Sequence, residues 1–223
     1  MSLPKMSKTK KADLIWMQNN NCLRHGRPYI EHYECYLTEV RPPERIGFLD
    51  IETSNLAANF GVMFAYCIKK SWKNEILFGI TEPKTFKKDL DKEIVEKCVS
   101  DMKQFDRLVT FYGTKFDIPF IRTRALSQGV SFPGYGEILH TDLYYMVRNK
   151  LRQNSNRLET TCRTVFGKTH KTHIENEYWI RALMSDKESL EYILDHCKND
   201  VLETERLFNV MTQFTGALTN RSI

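Results

Sequence analysis

The sequence predicts an α/β fold: a mixed sheet in which an antiparallel meander is followed by parallel strands. Apolar runs at 46–49, 60–70 and 75–80 follow one another on short connections, as antiparallel neighbours do. A further run at 108–112 breaks at Gly113-Thr114 and gives way to a helical stretch from Asp117. There Pro119 is tolerated in the first turn, and strand, break, helix is the grammar of an α/β crossover. With 41% hydrophobic content over 223 residues, the chain can bury a core as one large domain or one domain with a small appendage.

Taken in order, residues 1–11 read as a disordered basic tail carrying Lys5, Lys8, Lys10 and Lys11. Residues 12–43 read as an appendage, with Pro42-Pro43 as a rigid joint to a main domain at 44–216, and 217–223 as a C-terminal tail. Within the main domain, 86–102 has Leu90, Ile94, Val95 and Cys98 at helical spacing. A short strand at 138–140 precedes a helix at 142–151, and 158–166 is helical. A basic loop at 168–171 leads to an apolar-faced helix at 177–184, and 186–214 forms one or two long helices. No stretch approaches the ~18 uncharged apolar residues of a membrane span, and the Lys-rich start lacks the apolar run of a signal peptide. An intracellular protein is expected, cytoplasmic or nucleoid-associated, with no membrane partner. Six cysteines in a chain of this length, without a secretion signal, argue against a disulfide framework. The net charge of +5 is compatible with a polyanionic partner.

Two groups of residues carry candidate chemistry. In the appendage, Cys22 and His25 form one close pair and His32 and Cys35 another, across a short Gly/Pro-containing link. The group reads either as a closed Cys-His-His-Cys zinc site, structural because no coordination position stays open, or as a coincidence of such residues in a polar loop. Four of the chain's twelve Cys and His residues fall within these fourteen positions, which favours looking for a metal there.

The second group is acidic. Asp50 and Glu52 follow directly on the first strand, and residues two apart on a strand share a side. They converge if the strand continues; if it ends at Asp50, both are solvated. Asp117 follows the strand at 108–112, where ligands gather in open α/β sheets, although an Asp opening a helix also serves simply as a cap. His196 and Asp200, four apart in the C-terminal helix, share a face. Four carboxylates gathered on the core side of a fold become intelligible if two divalent cations cancel their repulsion, and hard oxygen ligands suit Mg²⁺ or Mn²⁺. Two such ions would grip a phosphodiester, with a neutral imidazole as general base.

These segments resemble the motifs of the DEDD exonucleases of the ribonuclease-H-like superfamily, which include proofreading domains and RNA-trimming enzymes. The first motif matches Phe48-Leu-Asp50-Ile-Glu52-Thr53, the second the stretch from Phe111 through Phe116-Asp117, and the third His196 to Asp200. The segment 138–145 resembles relatives closest to B-family polymerase proofreading domains, where Asp142 would support the site. The histidine stands four residues before the last Asp, the spacing of the family's Tyr branch, and Tyr112 stands where Asn is usual. The resemblance implies a three-layer fold with a five-stranded mixed sheet and helices on both faces. It implies a 3′–5′ exonuclease releasing nucleoside monophosphates from single-stranded or frayed DNA or RNA. In that scheme Asp50 touches both Mg²⁺ or Mn²⁺ ions, and Glu52 and Asp200 complete the site of the water-activating one. Asp117 holds the second and His196 deprotonates the nucleophile. Thr53, Leu56, Lys115, Phe116 and Lys171 are the implied substrate contacts, with Leu56 as a wedge against the terminal base. Arg122, Arg124 and Lys168 are further phosphate candidates or plain solvated charge. A structure-selective endonuclease on the same fold, or a non-catalytic zinc-containing nucleic-acid adaptor, are the alternatives.

Overall fold

Alternation along Ile46–Thr53 (β1) sets the architecture of the larger unit. Phe48 packs into one hydrophobic core and Leu49 and Ile51 into another, on the opposite side of the sheet. β1 pairs antiparallel with Met63–Lys70 (β2), which pairs antiparallel with Ile76–Ile80 (β3). On its other edge β1 runs parallel to Arg107–Thr110 (β4), and β4 runs parallel to Leu139–Asp142 (β5). With Arg221–Ser222 as β6, the order is β3-β2-β1-β4-β5-β6. The computed structural model describes residues 11–40, 44–170, 173–215, 218 and 221–223, and the chain divides into two units, Met1–Glu44 and Arg45–Ile223. Of the expected tail at 1–11, residues 1–10 lie outside the described residues, as does the Pro42-Pro43 joint, and Lys11 is the first residue of a helix.

Helices cover both faces of the sheet. On one side Lys92–Met102 (α4) and Asp117–Ser127 (α5) contribute Val95, Cys98, Ile118 and Ile121 to a core with Ile68 and Leu108. On the other side Leu143–Lys150 (α6), Leu158–Phe166 (α7), Asn176–Leu183 (α8) and Lys187–Met211 (α9) pack against Phe48, Phe64 and Val109. β2 is buried on both faces, so it reads as a continuous apolar run rather than an alternating one. Phe208 of α9 meets Phe48 edge-on at 5.5 Å, clamping that helix over β1. Burying each such side chain contributes roughly 1.5–3 kcal/mol.

Two elements differ from the sequence expectation. The sheet has six strands rather than five, because Arg221–Ser222 (β6), expected as tail, pairs antiparallel with β5. The stretch 86–102 is not one helix: Pro83–Asp89 (α3) ends before Leu90, which takes a φ of 54°. The break lets Asp91 turn inward, where its buried carboxylate accepts the Met63 N–H at 2.7 Å and pairs with Arg124. The C-terminal stretch, expected as one or two long helices, is a single 25-residue α-helix followed by a 3-10 turn at Thr212–Phe214, as one of those alternatives has it.

In the smaller unit, Lys11–Asn19 (α1) buries Met17 and stacks Trp16 on Tyr29 at 5.6 Å. A second short helix, Tyr33–Cys35 (α2), continues into a π-turn at Tyr36–Val40. Its apolar core is small: Met17, Cys22, Tyr29, Cys35 and Tyr36 are the buried members among the described residues.

Candidate metal and nucleic-acid site

β1 and β4 stay paired only from Ile46 to Phe48, and beyond that β1 continues alone towards Thr53 on that edge. Strand ends that part in this way open a crevice at the carboxyl end of a parallel sheet. β1 runs through both acids, so Asp50 and Glu52 lie on the Phe48 side of the strand, facing α9. The reading in which the strand stops at Asp50 is not what the chain does. Asp117 enters from the α5 N-terminus, and its Oδ1 accepts the Ile51 N–H at 3.2 Å, a donor that β4 does not take.

α9 supplies the opposite wall. His196 Nε2 lies 3.6 Å from Glu52 Oε1 and 3.8 Å from Asp200 Oδ2. Ligand-type atoms of Glu52, His196 and Asp200 all fall within 4.8 Å of one another. Asp117, Asp200 and His196 are 3%, 4% and 8% exposed, so their charge faces little solvent. Burial is the main cause pushing the Asp117 carboxyl up to about 7; backbone hydrogen bonds at Asp117 and Ile51 oppose it, and the Asp142 and Asp200 charges reinforce it. A cation held among these oxygens would relieve both the desolvation and the repulsion. An all-carboxylate set with one imidazole suits a hard or borderline divalent ion.

Asp50, Glu52, Asp117, His196 and Asp200 line one open cleft of about 660 Å³, together with Leu56, Phe111, Tyr112, Lys115 and Phe116. Leu56 is 83% exposed there, free to meet a ligand. Thr53 is placed elsewhere: its hydroxyl donates to the Asn55 carbonyl at 2.9 Å and holds the turn after β1. Lys171 lies outside the described residues. Arg124 is committed to a buried pair with Asp91 and to the Ala58 carbonyl at 3.2 Å, which removes it as a phosphate contact. Arg122 lies over the Phe132 ring at 5.3 Å.

Asp142 does its work through the backbone. Its carboxylate accepts N–H groups of Tyr112 at 2.8 Å, Thr114 at 2.9 Å and Tyr144 at 3.0 Å. One side chain thereby caps α6 and fixes the loop that leads to Asp117. In that loop Tyr112 takes a φ of 71°, a left-handed conformation that Asn adopts more readily than an aromatic residue. A Cβ at Gly113 would collide with Thr110 Oγ1, so the turn needs glycine.

The sequence reading missed a second lobe of about 600 Å³, lined by Tyr144, Asn156, Arg157, Glu159 and His173. It shares Asp50, Phe111, Tyr112 and Asp200 with the first. Its sequence signal was the polar run 152–157 with its two arginines, which periodicity alone marks only as loop.

In the smaller unit, Cys22, His25, His32 and Cys35 bring ligand-type atoms within 4.8 Å of one another. His25 Nδ1 lies 3.7 Å from Cys22 Sγ, 3.3 Å from Cys35 Sγ and 3.2 Å from His32 Nδ1. Burial raises the Cys22 thiol, but hydrogen bonds at the Arg27 and His25 backbone and from Cys35 bring it below its ordinary value; burial leads in holding Cys35 above.

Among known proteins, the family model described as RNase_H superfamily matches residues 47–212. A DNA polymerase of Methanocaldococcus jannaschii is 28% identical over 131 residues, covering 48% of this chain and 8% of the polymerase. The chain therefore spans a small part of that relative's length. The structure of the family B DNA polymerase from the hyperthermophilic archaeon Pyrobaculum calidifontis superposes with a TM-score of 0.61 and 19% identity. That match covers 78% of this chain and 25% of the polymerase, and it is a likeness of fold. Among the described residues no helix is long and apolar enough to cross a membrane.

Proposed function

The chain belongs to the RNase_H superfamily, and on that footing we propose that it is a metal-dependent 3′–5′ exonuclease of single-stranded or frayed DNA or RNA. One observation carries the reading: acids from β1, α5 and α9, distant in sequence, line a single cleft with one imidazole. A fold gains no stability from gathering buried like charges, so their convergence calls for a cationic ligand. The similarity to two DNA polymerases supports a nucleic-acid substrate.

In this reading Asp50, Glu52, Asp117 and Asp200 hold two Mg²⁺ or Mn²⁺ ions. Such ions supply an activated water and stabilise the leaving 3′ oxygen. His196 Nε2, held between Glu52 and Asp200, takes the proton from the attacking water. Leu56 wedges against the terminal base, and Lys115 and Phe116 line its path. Asp142 keeps the loop rigid so that Asp117 stays aimed. The nuclease domain is the unit Arg45–Ile223, extended past the expected 216 because β6 joins its sheet, and residues 12–43 are its appendage.

The second lobe favours a competing reading. Because the two lobes share Asp50 and Asp200, a strand has room to continue on both sides of the acids, as an endonuclease requires. Linear and circular single strands of DNA and RNA, offered with Mg²⁺ or Mn²⁺, separate the two. The exonuclease degrades linear strands from the 3′ end to monophosphates and spares circles; cut circles overturn it.

A further inference from the structure

The smaller unit contains a second constellation that the nuclease chemistry does not use. Two turns of backbone present its members. In the first, Cys22 and His25 are held by Cys22 N–H donating to the Arg27 carbonyl at 2.8 Å and Gly26 N–H to the Cys22 carbonyl at 2.9 Å. Gly26 takes a φ of 67°, so the turn can reverse there without strain. In the second, Cys35 and Tyr36 N–H groups both bond to the His32 carbonyl, at 3.0 and 3.2 Å, which puts His32 and Cys35 on one helical turn. Each turn thus offers a Cys and a His three residues apart, and the two turns face each other. Glu39 ties them together, accepting the Leu23 N–H at 2.8 Å and the Tyr29 hydroxyl at 3.0 Å.

The separations match a coordination tetrahedron. With Zn–S near 2.3 Å and Zn–N near 2.05 Å, tetrahedral edges come to about 3.4 Å between nitrogens and about 3.6 Å between nitrogen and sulfur. The corresponding distances here are 3.2 Å for His25 to His32, and 3.3 and 3.7 Å for His25 to the two sulfurs. Both histidines offer Nδ1 to the centre.

We propose that Cys22 Sγ, His25 Nδ1, His32 Nδ1 and Cys35 Sγ bind one zinc ion, and that this ion holds the smaller unit in its fold. Two thiolates and two imidazoles in a tetrahedral arrangement select zinc over hard ions. All four positions are filled by protein, so the site is closed to substrate and its role is structural. The need for it lies in the core. A unit of this size has five buried apolar side chains among its described residues, and two of them are the cysteines themselves. Units this small usually need a metal or disulfides to fold.

Elemental analysis of the full chain, purified without chelator, is the test. The wild type and Asp50→Asn should each carry about one zinc per chain, and Cys22→Ser and Cys35→Ser should carry none. Those variants can lose metal merely by misfolding, so exchange into cobalt supplies a second readout. The Co²⁺ form of the wild type should show tetrahedral d–d bands and thiolate-to-cobalt charge transfer. His25→Cys should keep its metal and intensify the charge transfer. Zinc retained by both serine variants, zinc lost in Asp50→Asn, iron in its place, or a Cys22–Cys35 disulfide in freshly purified protein would overturn the proposal.

Discussion

The two candidate metal centres are built on opposite plans. The acidic cleft draws Asp50, Asp117 and Asp200 from three elements spread across 151 positions of the chain and rests on a sheet with a hydrophobic core on each face. The cysteine-histidine site draws all four members from fourteen consecutive positions and rests on hardly any core. On the proposed reading the fold creates the first site and its ions would serve chemistry, whereas at the second the ion would create the fold. The donor atoms follow the same division: oxygens that leave room for water and phosphate, against sulfurs and nitrogens that leave none.

The largest effects should come from breaking the acidic side alone. Asp50→Asn is expected to lower the single-turnover cleavage rate by about 10³-fold or more, with oligonucleotide binding, read by fluorescence anisotropy, largely retained. His196→Ala should cost about 10²- to 10⁴-fold, as the loss of a general base does. An unchanged rate in either variant removes that residue from the chemistry.

Acid sharpens the contrast in stability. His140 packs beneath the cleft loop with Nε2 2.9 Å from Thr110 Oγ1. Burial, aided by the Arg107 and Arg221 charges and opposed by Asp142, pushes its imidazole down to about 4. Its folded value lies below the ordinary one, so between about pH 6.5 and 4 the unfolded chain takes a proton that the folded chain refuses. His140 by itself should lower the stability of the larger unit across that window by up to about 3 kcal/mol, against a contribution of opposite sign from Asp117, whose raised carboxyl takes its proton first in the folded chain. Urea midpoints against pH for wild type and His140→Gln isolate it: the wild type should lose ground to the variant as the pH falls from about 6.5 to 4, and a constant difference between the two would assign the loss to other groups.

The same contrast governs what the sequence reveals. The strand-helix order, the mixed sheet and helix 158–166 followed from apolar periodicity and short connections, which are local signals. Close spacing likewise flagged Cys22, His25, His32 and Cys35. Features set by tertiary partners were hidden. Leu90 is a good helix former, and nothing beside it announces a φ of 54°; the break follows from the pull of Met63 and Arg124 on Asp91. A two-residue strand at Arg221–Ser222 carries no pattern and exists because β5 offers an edge. Arg124 looked like any helix-surface cation until its buried partner was placed. The second lobe is made by residues between α6 and α8 meeting β1 and α9, a juxtaposition that no spacing encodes.

The central claim is that acids from distant segments share divalent ions, and anomalous diffraction from a crystal soaked in Mn²⁺ tests it most directly. The account predicts peaks at coordination distance, about 2.0–2.3 Å, from carboxylate oxygens of Asp50, Glu52 and Asp200. Mn²⁺ bound elsewhere, with these three side chains turned to solvent, would contradict it.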